Sequence, residues 1–221
     1  MKSSTLHYTL LTYRLDHLYL PVGFLALFAI VAFFMNGAPQ LNNLGPAFLG
    51  AVLPLISGLL SAYALLDDPA LELQFATPTP PWRALLGRLA PTLVVLAITA
   101  VAYEGILAAF GFDWSVGGNL ARVQLIWLIP SLTLMALGCA ASLAMRQSTA
   151  GAMLVGLVWI VELLLRSWFA SKPAALPWLI FLGMMDPQHP DLLLNQLCLG
   201  GLSLALLLGS WALWRQQERY L

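Results

Sequence analysis

Residues 65–89 read LLDDPALELQFATPTPPWRALLGRL, and the rest of the chain is organised around this stretch. It lies between two long apolar segments and gathers Asp67, Asp68, Glu72, Arg83 and Arg88 in a sequence of which only 9% is charged. Asp68 suits an N-cap and Pro69 the first helical position, where a missing N–H removes no hydrogen bond, so a short helix is expected to start here. Leu71 and Phe75, four apart, share one face of it. Glu72 falls about one turn in, where the helix dipole still favours a carboxylate. Pro78, Pro80 and Pro81 then stop the helix, because each lacks a donor and biases its predecessor toward extended backbone. A second helix is expected from Trp82, with Arg83 and Arg88 on its first turns and Leu85, Leu86 and Leu89 leading into apolar sequence. The expected product is a compact amphipathic knuckle on a membrane surface.

Composition supplies the membrane. The chain is 60% hydrophobic, with a mean hydropathy of +0.83, and its charged fraction is far below the roughly 25% of soluble domains. An all-α integral membrane protein is therefore expected. Its 221 residues have room for about six spanning helices of roughly 20 residues with short loops. That leaves a single membrane domain, 1–221, and no space for a further soluble catalytic domain. A net charge of zero provides no basic field for nucleic acid. Cys139 and Cys198 both sit in apolar segments without metal-ligand spacing and read as small core residues.

In chain order, residues 4–17 mix Leu6, Leu10, Leu11 and Tyr13 with His7, Arg14, Asp16 and His17. The stretch is too polar to span and amphipathic enough for an N-terminal interfacial helix; a frayed polar tail is the alternative. Spans are expected at about 18–35, 44–66, 84–110, 120–145, 150–169 and 192–214. The first is too long and too far in for a signal-peptide core. Pro54 with Ser57-Gly58 predicts a kink in the second. Gly138, Ala141 and Ser142 suit close helix approach in the fourth, and the tight turn at Arg146-Gln147-Ser148 makes the fourth and fifth a hairpin. The apolar run 174–185 is too short to span and starts among prolines, so a re-entrant or interfacial piece is expected before the last helix. Asp191 is placed to cap that helix.

With six spans, one side carries Lys2, Arg14, Arg83, Arg88, Arg146, Arg215 and Arg219, and the other Arg122, Arg166 and Lys172. The excess of positive charge makes the first side cytoplasmic. Both termini and the 67–88 loop are then expected on the cytoplasmic face of the plasma membrane. No internal sequence repeat supports an inverted-repeat carrier.

Acidic residues closing the second apolar segment, then Glu72-Leu73, a proline at 78, and Arg83, Leu86 and Arg88 opening the next segment form a pattern that resembles the coupling loop of type-2 ATP-binding-cassette permeases. Pro69-Ala70 stand where that family often has glycine and threonine, Thr77-Pro78 where it has leucine-proline, and Arg88 where it has lysine. An amphipathic leading helix, six spans, a tight hairpin between the fourth and fifth and a re-entrant element before the sixth are similar to the same family. The resemblance implies the membrane half of an ATP-driven exporter. Such a subunit dimerises with a second permease chain, the same or homologous, in the lipid membrane and is driven by a separate ATPase. It also implies that Asp68, Leu71, Glu72, Phe75, Arg83 and Arg88 form the ATPase-coupling surface. No G-x-x-x-x-G-K-[ST] occurs in the chain, so ATP and magnesium are expected on the partner and no cofactor here. The plainer reading of the loop is a solvated turn whose acids only cap a helix.

Two acids fall inside expected spans, where ionisable groups usually face a cavity or a partner. Glu162 has Arg166 four residues on, in the favourable order for an ion pair. With Trp159 the two form one polar-aromatic stripe, which faces either a substrate pathway or protein. Glu104, beside Tyr103, has no such local partner and is expected to line a polar pocket or to hydrogen-bond across a subunit contact. His7, His17 and His189 have no helical ligand spacing, and turn chemistry explains 186–191 better than a metal does. No histidine lies within a span near Ser57, Ser61, Ser131 or Ser142. The second functional class, an ATPase-independent intramembrane enzyme or assembly factor, therefore has no nucleophile and base to point to.

Overall fold

In a computed structural model, residues 16–35, 41–67, 80–112, 114 and 119–215 are described. They form helices and turns, with no strand among them. Helix α1 is Asp16–Phe34. A continuous rod follows, made of α2 (Leu41–Ala47), a π-helical turn (Phe48–Val52) and α3 (Leu53–Ala64). The long helices α4 (Pro81–Ala109), α5 (Leu120–Met145) and α6 (Ser148–Ser171) come next. A 3-10 turn (Leu176–Trp178) and the short α7 (Leu182–Met185) precede α8 (Leu192–Trp214). Among the described residues, five helical stretches are long and apolar enough to cross a membrane: 44–64 and the bulk of α4, α5, α6 and α8. The apolar part of α1, Leu18–Phe34, is shorter. The N-terminal interfacial helix expected at 4–17 and the short helix expected from Asp68 lie outside the described residues, apart from Asp16 and His17.

Helix boundaries follow local chemistry. Pro81 opens α4 in the first turn, where its missing donor is harmless. The Asn119 side chain accepts the Arg122 N–H at 2.8 Å and caps α5. That helix ends on Arg146 in the left-handed conformation, φ 55°, with Gln147 N–H returned to the Ser142 carbonyl. The expected hairpin into α6 is thereby made. Helix α8 starts where expected, but Asp191 occupies the N-cap position without a side-chain capping bond.

The rod and α5 form the centre. Of their apolar windows 72% and 61% are buried, against 22–33% in α4, α6 and α8. Backbones nearly touch here: a Cβ on Gly138 would meet the Gly58 carbonyl oxygen at 2.2 Å. Ser57 Oγ donates to the Ser131 carbonyl and Ser61 Oγ to the Met135 carbonyl, each at 2.8 Å. Small residues permit the approach and the hydroxyls then have acceptors on the facing helix, as apolar surroundings require. One turn further along α5, a Cβ on Gly151 of α6 would lie 2.7 Å from the Ser142 nitrogen. Gly138 and Ser142 thus act as their types suggested.

Helix α8 lies along α5, where Thr133 Oγ1 and Ser203 Oγ are 3.0 Å apart. Helix α1 packs on α4 through Phe28, Phe48 of the rod and Tyr103, and the Tyr103 hydroxyl donates to the Leu44 carbonyl at 3.0 Å.

Where a kink is expected, at Pro54 and Ser57-Gly58, the helix has a π-helical turn immediately before Pro54. Leu53 N–H reaches back five residues to the Phe48 carbonyl. Proline has no N–H for the carbonyl of Gly50, four residues back, and its ring crowds that carbonyl; one wide turn relieves both. Ser57 and Gly58 serve the contact with α5 instead.

Candidate functional site

The acidic and aromatic residues of the α6 stripe converge on the segment between α6 and α8. Glu162 is 9% exposed, and its Oε2 accepts the backbone N–H of Ile180 at 2.7 Å. Trp159, one turn earlier, donates its indole N–H to the Ala51 carbonyl at 2.8 Å, inside the π-helical turn. Its ring meets Phe181 edge-on at 6.0 Å between centroids. Glu162 stands nine residues before the end of α6, about 14 Å along the axis at 1.5 Å per residue. Residues 172–191 therefore turn back deep into the bundle and leave it again.

From the opposite side Asn195, 3% exposed, donates Nδ2 hydrogens toward the carbonyls of Leu176, Pro177 and Leu179 at 3.2, 3.1 and 2.9 Å. Glu162 accepts from the segment's backbone and Asn195 donates to it, so the Ile180 N–H and three carbonyls of an irregular stretch have side-chain partners. Leu176, Leu179, Phe181 and Leu182 are buried beneath it with Ala51 and Leu192, and a Cβ on Gly50 would meet Met184 Cβ at 2.7 Å. Residues 174–185, where a re-entrant or interfacial piece is expected, form two short helical turns clamped between α6, α8 and the rod.

Glu162 and Arg166 form no ion pair. Arg166 is exposed, whereas Glu162 is buried. A single helical stripe carries both residues, but the backbone of a neighbouring segment has the better geometry for Glu162 and leaves Arg166 at the rim. The turn reading of 186–191 holds: Gln188 N–H bonds to Asp186 Oδ1 and Asp191 N–H to His189 Nδ1, each at 3.1 Å.

A second polar group joins α4 and α5. Glu104 is half-buried and has a partner on α5: Gln124 Nε2 lies 2.9 Å from both carboxylate oxygens. The Gln124 carbonyl in turn accepts the Trp127 indole N–H at 2.8 Å. Nearby, Asn119, Arg122 and Gln196 line a cavity of about 220 Å³, and Gln196 Nε2 is buried without a hydrogen-bond partner.

At the other end of the bundle, Ser148 Oγ donates to Asp67 Oδ1, so the close of the rod is tied to the first turn of α6. Arg83 is exposed and stacks on Trp82 with its guanidinium carbon 5.1 Å from the ring centre, while Arg88 is half-buried. Asp68, Leu71, Glu72 and Phe75 lie outside the described residues.

Among the described residues, no three His, Cys, Asp or Glu side chains come together as a metal site. Asn195 and Gln124 escaped the reading of the sequence. Each is a polar residue inside an apolar helix, which is itself a signal for a partner. Compared with known proteins, the chain matches no family model, no curated protein and no solved structure.

Proposed function

We propose that this chain is the membrane subunit of an ATP-driven exporter, a half-transporter that pairs with a second permease chain and is worked by a separate ATPase docked on residues 67–88. The observation that carries the reading is the bond between Asp67 and Ser148. It ties the start of the acidic loop to the α5–α6 hairpin, so force applied to the loop would reach the central helices directly. In this reading α1 is a sixth span: its 19 residues measure about 28 Å, close to the roughly 30 Å of hydrocarbon. The clamped 172–191 segment dips into the outer leaflet. The end bearing Asp67, Arg83, Arg88, Arg146 and Arg215 faces the cytoplasm. Closure of two ATPase subunits on nucleotide would press the loops together and open the dimer cleft outward.

Co-purification tests this. An ATPase with a phosphate-binding G-x-x-x-x-G-K-[ST] loop is expected to follow the chain through mild detergent and to be lost from Glu72→Arg, whose reversed charge leaves unpaired groups in the contact. Absence of any such ATPase under several mild conditions overturns the reading.

A further inference from the structure

Between the first half of α4 and the last turns of α8 runs an apolar groove of about 500 Å³, floored by Leu132 and Met135 of α5. Its volume lies within the roughly 300–1,000 Å³ of ordinary ligand sites. Along α4 its lining extends from Trp82 to Leu93, about 16 Å of helix, which matches one leaflet of a hydrocarbon layer about 30 Å thick. Its lining includes two tryptophans, Trp82 in the first turn of α4 and Trp211 in the last turns of α8, the side chain that favours the membrane interface. Each carries an arginine on its ring: Arg83 on Trp82 and Arg215 on Trp211, both at 5.1 Å. Both arginines are exposed, and neither forms an ion pair with a described residue.

We propose that this groove binds one anionic phospholipid, with an acyl chain along Leu86, Leu89 and Leu208 and the headgroup phosphate between Arg83 and Arg215. The stacked guanidiniums are held at the rim with their N–H groups available, the geometry that suits bidentate phosphate contact. An apolar occupant alone would need no cation at the mouth, and a free phosphate would need no groove. The proposal rests on the long helices crossing a bilayer and is independent of the exporter reading.

The test is tryptophan fluorescence of the full chain in phosphatidylcholine vesicles. These contain the same small fraction of either phosphatidylglycerol or phosphatidylcholine brominated at mid-chain. The groove signal is the part of the quenching lost in W82F/W211F. Quenching of the exposed Trp168 and Trp178 reports the bilayer itself, so its absence would count against the membrane reading on which the proposal rests. Brominated phosphatidylglycerol is expected to quench the groove signal at about ten-fold lower lipid fraction than the zwitterionic lipid, since each interfacial arginine favours anionic lipid. R83Q/R215Q should erase that preference, whereas R122Q, at the far end, should leave it. Filling the groove with L86F/L208F should also abolish it while both arginines remain. Equal quenching by the two lipids overturns the proposal. So does a preference that survives the filled groove, which would reflect surface attraction alone. A groove signal quenched by neither lipid, as when the chain's own 68–79 or 216–221 segment covers it, also overturns it.

Discussion

The carboxylate of Glu162, midway along α6, accepts the backbone N–H of Ile180 at 2.7 Å, which ties a non-helical segment to the side of a long apolar helix. Glu162→Ala removes the acceptor and leaves a buried N–H unsatisfied, a loss of about 1–3 kcal/mol. Glu162→Gln keeps an acceptor and should be far milder. Arg166→Leu should fall within about 0.5 kcal/mol, as for other surface changes. Unfolding of the purified protein in detergent reads all three. A loss in Arg166→Leu equal to that in Glu162→Ala would restore the ion pair that the geometry lacks.

Asn195 holds the same segment from α8. Asn195→Leu should remove a donor shared by the carbonyls of Leu176, Pro177 and Leu179, of which those of Leu176 and Leu179 keep a backbone N–H, from Leu179 and Leu182. Because the segment's amides depend on its staying folded, hydrogen exchange over 176–182 should accelerate by about ten-fold or more while the α5 core stays protected. Uniform acceleration across the chain would instead mean that Asn195 supports global stability and not this segment.

The contact between Gly58 and Gly138 sets the spacing of the central helices. Gly138→Ala should be strongly destabilising, since its Cβ would meet the Gly58 carbonyl oxygen at 2.2 Å and backbone must move. Gly105→Ala meets nothing within 4 Å and should be neutral or stabilising by up to about 1 kcal/mol through helix propensity. Comparing the yields and unfolding midpoints of the two variants decides the matter. A tolerated Gly138→Ala would show that the helices stand further apart.

Gln124 satisfies Glu104 and Trp127 together. Gln124→Leu should cost about 1–3 kcal/mol because it orphans a carboxylate and an indole N–H. Adding Glu104→Leu should recover part of that loss, since no charge is then left unpaired. A double-mutant cycle on unfolding free energy measures the coupling. Strict additivity would mean the two side chains act separately.

Much of the helical frame could be read from runs of apolar residues bounded by Asn119, Arg146-Gln147 and Pro81, because each boundary residue has a local reason to stop or start a helix. Gly138 and Ser142 were readable for a similar reason: small size has one main use in a packed apolar helix. What escaped was long-range. Glu162 was conspicuous, but its partner is a backbone N–H at Ile180, and a backbone group leaves no mark in the sequence; Arg166 at helical spacing was the visible and wrong partner. Asn195 and Gln124 were single polar residues in leucine-rich helices, readable as needing partners but silent about which. The π-helical turn follows from Pro54, whose missing N–H and ring act on the preceding turn.

The docking reading is tested most directly by where an ATPase touches the living cell's copy of this chain. A photo-reactive amino acid at Phe75 is expected to form an adduct with a protein whose peptides contain a G-x-x-x-x-G-K-[ST] loop. The same probe at Phe33, which packs against Phe110 near the end of α4 away from Trp82, should form none. Adducts at Phe75 that contain no such ATPase, or equal ATPase capture at Phe33, would contradict docking on the 67–88 loop.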